Sequence, residues 1–446
     1  MTRGLGLRRL MGHVGATFVR QLAAALFGLL TIVIIARVYG PAANGAYAVA
    51  LLLPTLLVSL LNFGVAPANV YYLGTEQAGV RALFVANLVI FLLVGLVGLV
   101  IGAALLLWQR QRLFPGIDAS ALWLALGVYP FALLNSYLHS LLQGLQAFGR
   151  YNLLAMVQPA MLLLLVAGLS LGGHRELTGL LGAQLVAQLV ALGLTLRWVA
   201  EWIRADDRGP GVATCLKRSL GYGWKAHVGN ILAFLNYKAD VFLANLFLGP
   251  AAVGVYVIAV ALAEKLWLIS QAVSTVLLPR LAQLSRDDAK RKQLTPLIAR
   301  WLLLITAMAA LVLAWLAHTL IDVVFGSEYA AAVLPLWILL PGMVLMAVYR
   351  VLANDIAARG RPELNMLVAL AVVVVNLAAN LILIPCLGLA GAAAATTIAY
   401  ALSLVMGLKF YRRLSGNDWH DALCLTLDDA SWLAHGWRAA KPGSQT

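Results

Sequence analysis

Eight polar side chains lie in stretches otherwise too apolar to hold them: Arg20, Lys225, His227, Asn230, Lys238, Asp240, Glu264 and Lys265. An ionisable group at the centre of a membrane-spanning helix costs roughly 2.5–3.5 kcal/mol on insertion scales, so each should face a cavity, a partner or an ion. Arg20, Lys225, Lys238 and Lys265 outnumber Asp240 and Glu264. A surplus of positive charge inside a membrane suits an anionic passenger, and phosphate or pyrophosphate is a common partner of Lys and Arg. Arg20, Lys225, His227, Asn230, Lys238 and Lys265 are therefore candidates to line a substrate-binding cavity. The alternative for Arg20 and Lys225 is to snorkel toward a nearby helix end. The two acids also have two readings. Either they pair with Lys238 and Lys265 for structure, or one of them, Asp240 before Glu264, holds a coupling H⁺ or Na⁺. No cofactor is expected beyond such an ion.

Helices must position these groups. At 100° per residue, His13, Thr17, Arg20 and Thr31 share one stripe of the first helix. In the helix opening the second half of the chain, with His227 at the origin, Asn230 falls at about 300° and Lys238 at about 20°. Lys225, Asn236 and Asp240 fall at about 160°, 180° and 220°. A helix with two opposed polar faces cannot be wrapped in lipid, so protein or water must enclose it.

Of the 446 residues, 62% are hydrophobic and 11% charged, where a soluble domain has about 45–50% and about 25%. About twelve stretches approach the ~20 apolar residues that cross a bilayer. They fall near 13–36, 43–64, 82–107, 120–143, 152–172 and 177–199, then near 222–247, 253–278, 297–321, 331–352, 364–386 and 390–411. The chain reads as an all-α polytopic membrane protein. Its basic-then-apolar beginning looks like a signal peptide, but the apolar run continues to Ile35 and meets a tight Gly40-Pro41 turn, so an uncleaved first helix is expected.

A net charge of +14 would suit nucleic acid, yet the distribution argues for topology. With the N-terminus inside, the outer segments hold only Arg37, Arg110, Arg112 and Arg175. The cytoplasmic segments hold the bulk of the Lys and Arg, including Arg291, Arg350 and Arg359. That is the positive-inside pattern, and it sets both termini in the cytoplasm and excludes nucleic acid as a partner. Cys215, Cys386 and Cys424 are scattered and form neither a metal motif nor a disulfide framework. His420 and Asp421 read as a solvated tail, so no metal site is expected. No P-loop, zinc-protease helix or nucleophile elbow occurs, so no catalytic residues are assigned and the chain does not read as an enzyme.

The sequence also repeats itself. Gly40-Pro41-Ala42-Ala43-Asn44-Gly45-Ala46-Tyr47 returns as Gly249-Pro250-Ala251-Ala252-Val253-Gly254-Val255-Tyr256, at an offset of 249 − 40 = 209. Gly149-Arg150 is echoed at Gly360-Arg361, and Gly179–Ala183 at Gly388–Ala392. Such duplication inside an apolar chain is typical of secondary transporters, whose halves move around a central site. The expected organisation is a six-helix lobe over 1–200, a cytoplasmic linker over 201–221, a second six-helix lobe over 222–411 and a cytoplasmic tail over 412–446. Outer loops are short, the longest lying around Arg110 to Ala119. That disfavours a membrane polymerase or ligase, which needs a large outer surface to hold an acceptor.

Four segments carry a family resemblance. Ile35–Tyr47 and Lys238–Tyr256 resemble the two repeat openings of polysaccharide-export flippases; Leu142–Arg150 resembles the loop after their fourth span and Pro385–Ala392 the start of their last helix. The chain up to about Arg413 resembles the Wzx-like O-antigen and polysaccharide (oligosaccharidyl-lipid) flippases of the multidrug/oligosaccharidyl-lipid/polysaccharide exporter superfamily. The resemblance implies two six-helix bundles in a V around a central cavity. It implies transfer of an undecaprenyl-pyrophosphate-linked oligosaccharide from the inner to the outer leaflet of the bacterial inner membrane by alternating access. The passenger is a lipid-linked oligosaccharide whose polyprenyl tail stays in membrane lipid, as one step of lipopolysaccharide or other cell-surface polysaccharide biosynthesis. Glycosyltransferases and a polymerase of the same pathway are the implied partners. A drug/cation antiporter of the same superfamily is the alternative, although the first-lobe spans hold no intramembrane acid. A lipid II-type flippase is another, although that family usually has two further helices.

Overall fold

The computed structural model describes residues 2–205, 211–284 and 288–424, apart from the side chains at 2–19, 205, 225, 226, 275, 276, 278–280, 282 and 283. The linker centre at 206–210, Arg286, Trp432, Trp437 and the side chains of His13 and Thr17 lie outside the described residues. Every extended element among the described residues is a helix. They are α1 (Thr2–Leu61), α2 (Val65–Gly74), α3 (Val80–Leu113), α4 (Ala119–Gly144), α5 (Phe148–Leu171), α6 (Leu177–Ala205) and α7 (Val212–Ala263). After a 3₁₀ turn at Glu264–Leu266 come α8 (Trp267–Gln283) and α9 (Asp288–Val324), then a 3₁₀ turn at Ser327–Ala332. The chain continues as α10 (Val333–Ala358), α11 (Pro362–Leu387), α12 (Leu389–Ser415) and the short α13 (Trp419–Leu423). In a bilayer only helices or closed barrels satisfy the backbone, and a chain this rich in unbroken apolar runs takes the helical solution.

Ten helical stretches among the described residues are long and apolar enough to span a membrane. Two are double length: Arg20–Leu61 has 42 residues and His227–Ser274 has 48. At 1.5 Å per residue each is about twice the ~30 Å hydrocarbon core. Each is also broken, at Gly40 (φ 76°, ψ 177°) and at Gly249 (φ 80°, ψ 175°). Only glycine takes that backbone conformation without strain, and the following proline, lacking an N–H, is suited to begin the next helix. Counted this way, the ten stretches make the twelve passes that the hydropathy predicts. The expected linker is largely helical: α6 runs to Ala205 and α7 begins at Val212.

The echoes differ in kind. Gly360 (φ 76°) and Gly388 (φ 60°) turn the chain between helices, whereas Gly149 and Gly179 sit within α5 and α6. Only the Gly40/Gly249 pair matches in backbone as well as in sequence.

By packing, the chain divides into two units. The first comprises Met1–Ala261, Ala317–Pro335 and Asn376–Ala395. Its core is organised on α4, whose Tyr129 and Tyr137 are fully buried and donate to the carbonyls of Val94 and Asn62. Gly98 and Gly102 of α3 let α4 approach closely: a Cβ at Gly98 would stand 2.2 Å from the Tyr129 hydroxyl, and one at Gly102 2.3 Å from Leu126. The similar Gly168–Gly172 spacing in α5 packs against no other helix. The second unit comprises Leu262–Leu316, Leu336–Val375 and Thr396–Thr446, and its buried side chains include Leu302, Val348, Leu352 and Tyr411.

Candidate functional site

In the first unit the two Gly–Pro turns meet each other. A Cβ on Gly45 would stand 1.7 Å from the Pro250 carbonyl oxygen; one on Gly254 would stand 1.9 Å from the Pro41 carbonyl oxygen. The contact is reciprocal at the repeat offset, because each repeat's second glycine receives the other repeat's proline carbonyl. Asn44 adds a buried hydrogen bond from its amide to the Gly254 carbonyl, 2.9 Å. Arg37 caps the end of α9, donating to the carbonyls of Asp322 (3.2 Å), Val323 and Val324 (3.0 Å). A cation at a helix C-terminus also complements the helix dipole. Gly116, in the turn after α3, lies against the Pro250 ring.

Beneath this clasp α7 passes a cavity of about 320 Å³. Phe234, Lys238 and Phe242 recur every four residues on one face of α7 and line it, with Leu53 and Leu56 of α1, Phe114 and Leu377 of α11. Phe114 and Phe242 meet edge to face, centroids 6.4 Å apart. Lys238 is the polar residue of this wall, and its ammonium has no ion pair among the described residues. It lies eleven residues before Gly249, about 16 Å along the helix and so near mid-span.

Asp240 takes the other side of α7. It is buried, accepts a 2.7 Å hydrogen bond from the Tyr256 hydroxyl and a 2.7 Å bond from the Val241 N–H. Tyr256 belongs to the next pass, so this bond bridges the Gly249 turn. The opposed faces that the sequence assigns to Lys238 and Asp240 are thus occupied by different surroundings.

The other candidates do not join Lys238 in its cavity. His227 stacks on Phe63, centroids 5.2 Å apart, beside a close approach of Gly64 to Gly223 in which an added Cβ would meet backbone at 2.0 Å. Tyr71 stacks on Tyr222 (4.6 Å) one turn away, so this end of α7 packs tightly against the start of α2. Asn230 is exposed. Arg20 is half-buried at the start of the first span. The side chain of Lys225 is outside the described residues. Glu264 and Lys265 occupy the 3₁₀ turn between α7 and α8, half-buried, in the second unit. A break in a transporter helix is a frequent ligand position, because it frees backbone groups.

Two polar clusters in the second unit escaped the sequence. Arg350 lies in the helical stretch Ser327–Ala358, its guanidinium 4.7 Å from the centre of the Trp267 ring and 3.3 Å from the Ser270 hydroxyl. Arg291 and Arg359, also read as cytoplasmic positive charge, are ordered around the fully buried Asp355. Arg359 lies 2.6 Å from Asp355 and 2.9 Å from Asp288. Burial opposes its charge, but the bonds to Asp355 and Asp288 outweigh that and raise its pKa above the ordinary guanidinium value. The i,i+4 spacing of Asp355 and Arg359 was the available signal.

Paired glycine turns in reciprocal contact, a cation facing an apolar cavity and a helix broken at charged residues define a polytopic membrane protein of the transporter type. The chain superposes on the lipid II flippase MurJ in an inward closed conformation with a TM-score of 0.73, at 15% identity over 96% of this chain and 93% of that one. It superposes on an inward-facing multidrug resistance transporter of the MATE family with a TM-score of 0.67, at 16% identity over 90% and 98%. The chain belongs to the polysaccharide biosynthesis protein family, whose model matches residues 34–334. It is 28% identical over 230 residues to a probable low-salt glycan biosynthesis flippase, Agl15 of Haloferax volcanii, covering 50% of this chain and 48% of that relative. It is 27% identical over 176 residues to the capsular polysaccharide biosynthesis protein CapF of Staphylococcus aureus, covering 39% and 44%. The chain thus matches less than half the length of these relatives.

Proposed function

We propose that the chain is a flippase that moves an undecaprenyl-pyrophosphate-linked oligosaccharide from the inner to the outer leaflet by alternating access, for cell-surface polysaccharide biosynthesis. The observation that carries this reading is Lys238, a mid-span cation without an ion pair among the described residues, facing a cavity in α7. Desolvating an ammonium costs several kcal/mol, roughly, unless an anion compensates. An anionic passenger supplies that compensation during each transport cycle. Membership of the polysaccharide biosynthesis family, the flippase name of Agl15 and the shared transporter fold support the reading.

In this proposal the lobes 1–200 and 222–411 move about the cavity, joined by 201–221, with the 412–446 tail beyond them. Arg20 and Lys265 supply further positive charge along the path. Asp240 is the candidate for a coupling H⁺ or Na⁺, with Glu264 second; binding there would compete with the Tyr256 hydroxyl. The protein sits in the bacterial inner membrane with both termini cytoplasmic, between glycosyltransferases that supply its substrate and a polymerase that consumes it. In cells lacking the chain, mass spectrometry of the lipid fraction with a leaflet assay should find a polyprenyl-pyrophosphate oligosaccharide accumulating on the cytoplasmic side, relieved by restoring the gene. Accumulation of a single repeat unit on the outer leaflet, or none at all, would overturn the proposal.

A further inference from the structure

We infer that the Lys238 cavity holds the junction between the lipid and its phosphate, not the sugars. The inference rests on the flippase reading and specifies which part of the passenger this site grips. Its wall is phenylalanine and leucine: Phe234 and Phe242 of α7, Leu53 and Leu56 of α1, Phe114 and Leu377. None of those side chains can donate or accept a hydrogen bond. A sugar placed here would lose its water without gaining partners, which buried hydroxyl groups tolerate poorly. A hydrocarbon loses nothing by the exchange, and gains by leaving water.

The single cation fixes the other half of the ligand. Lys238 stands among the aromatic rings on the same face of α7. Its partner must carry negative charge directly beside hydrocarbon, which describes an isoprenyl phosphate at its first carbons and describes no part of an oligosaccharide. The volume, about 320 Å³, is at the low end of ligand pockets, which run from about 300 to 1,000 Å³. It suits a short stretch of chain, with the remainder of the polyprenyl tail in the bilayer. Recognition through this junction makes the site indifferent to the attached sugars.

A diacyl phospholipid offers the same pairing of phosphate and hydrocarbon, so the test separates the two sources. The full-length chain is placed in nanodiscs, and a fluorescent undecaprenyl-pyrophosphate oligosaccharide is bound. Competition is then measured with geranyl diphosphate, inorganic pyrophosphate, the free oligosaccharide and added phosphatidylglycerol. The expected result is displacement by geranyl diphosphate at a concentration at least tenfold below that needed for inorganic pyrophosphate, with no displacement by the sugar. Lys238→Met should weaken geranyl diphosphate binding tenfold or more and Lys238→Arg should retain it, while both variants unfold at the wild-type temperature. Leu56→Trp, which fills the cavity, should weaken geranyl diphosphate more than inorganic pyrophosphate. Displacement by free sugar but not by geranyl diphosphate would overturn the inference and leave the flippase reading intact. Equal competition by phosphatidylglycerol would overturn it as well, by assigning the site to ordinary membrane lipid. Binding of geranyl diphosphate without any binding of the lipid-linked oligosaccharide would instead sink the flippase reading and keep the junction site.

Discussion

The two repeats are alike where they touch and unlike where they face inward. At the clasp, Gly40 and Gly249 have nearly the same dihedrals, and Gly45 and Gly254 receive each other's proline carbonyls. About two and a half to three turns earlier in each helix the likeness is gone. At the repeat offset Lys238 stands where the first repeat has Leu29, and Asp240 where it has Thr31. Thr31 bonds to its own helix, at the Phe27 carbonyl, while Asp240 reaches across to Tyr256. Backbone-to-backbone contact tolerates no side chain, so it held both copies to glycine. The interior packs through side chains, which left one copy free to acquire charge.

The largest effect should come from breaking the clasp. Gly45→Ala and Gly254→Ala each force a methyl group into a backbone carbonyl, and should each destabilise the folded chain by about 3 kcal/mol, the upper end of the usual cost of overpacking. Thermal unfolding in detergent checks this; a harmless alanine at either site would show that the likeness is sequence only. Next is the charge asymmetry itself. Lys238→Ala and Arg20→Ala should each abolish export in the deletion strain with protein levels unchanged, and full export by both would remove them from the proposed transport path.

A smaller effect is expected across the Gly249 turn. Tyr256→Phe removes a hydrogen bond to a buried carboxylate, worth about 1.5–3 kcal/mol. Combining it with Asp240→Asn should cost less than the sum of the two single changes; strict additivity would mean that the pair is uncoupled. The smallest effect is Asn44→Val, which gives the first turn the residue of the second. It removes the bond to Gly254 and should lower stability by about 1 kcal/mol, read as a small shift of the melting temperature without loss of export.

The fold was largely legible. Apolar length sets the passes, and the Gly–Pro echo marks the pair of turns that share a backbone shape. The other echoes fall at the starts of corresponding helices, Gly149 and Gly179 just inside α5 and α6 and Gly360 and Gly388 just before α11 and α12, but without a shared backbone shape. For the site, the helical wheel separated Lys238 from Asp240, since both sit on one regular helix. It could not find that His227 would stack on Phe63, a contact between helices far apart in sequence. Nor could it show that Trp267, on another helix, would shelter the Arg350 guanidinium. Charge counting is likewise blind to the difference between exposed cations and those paired with a buried acid, as Arg291 and Arg359 are with Asp355.

The clasp has the form of an isologous interface, in which one surface patch meets a copy of itself as in a two-fold dimer. Here both copies lie on one chain. A change in a two-fold dimer appears on both sides at once, but a change in either turn here alters one side alone, so the two turns can diverge singly wherever the backbone approach leaves room, as Asn44 and Val253 already have. Severing the chain near residue 208 and producing its halves separately should still permit their reunion, because the contact that joins these turns was never dependent on the covalent link between them.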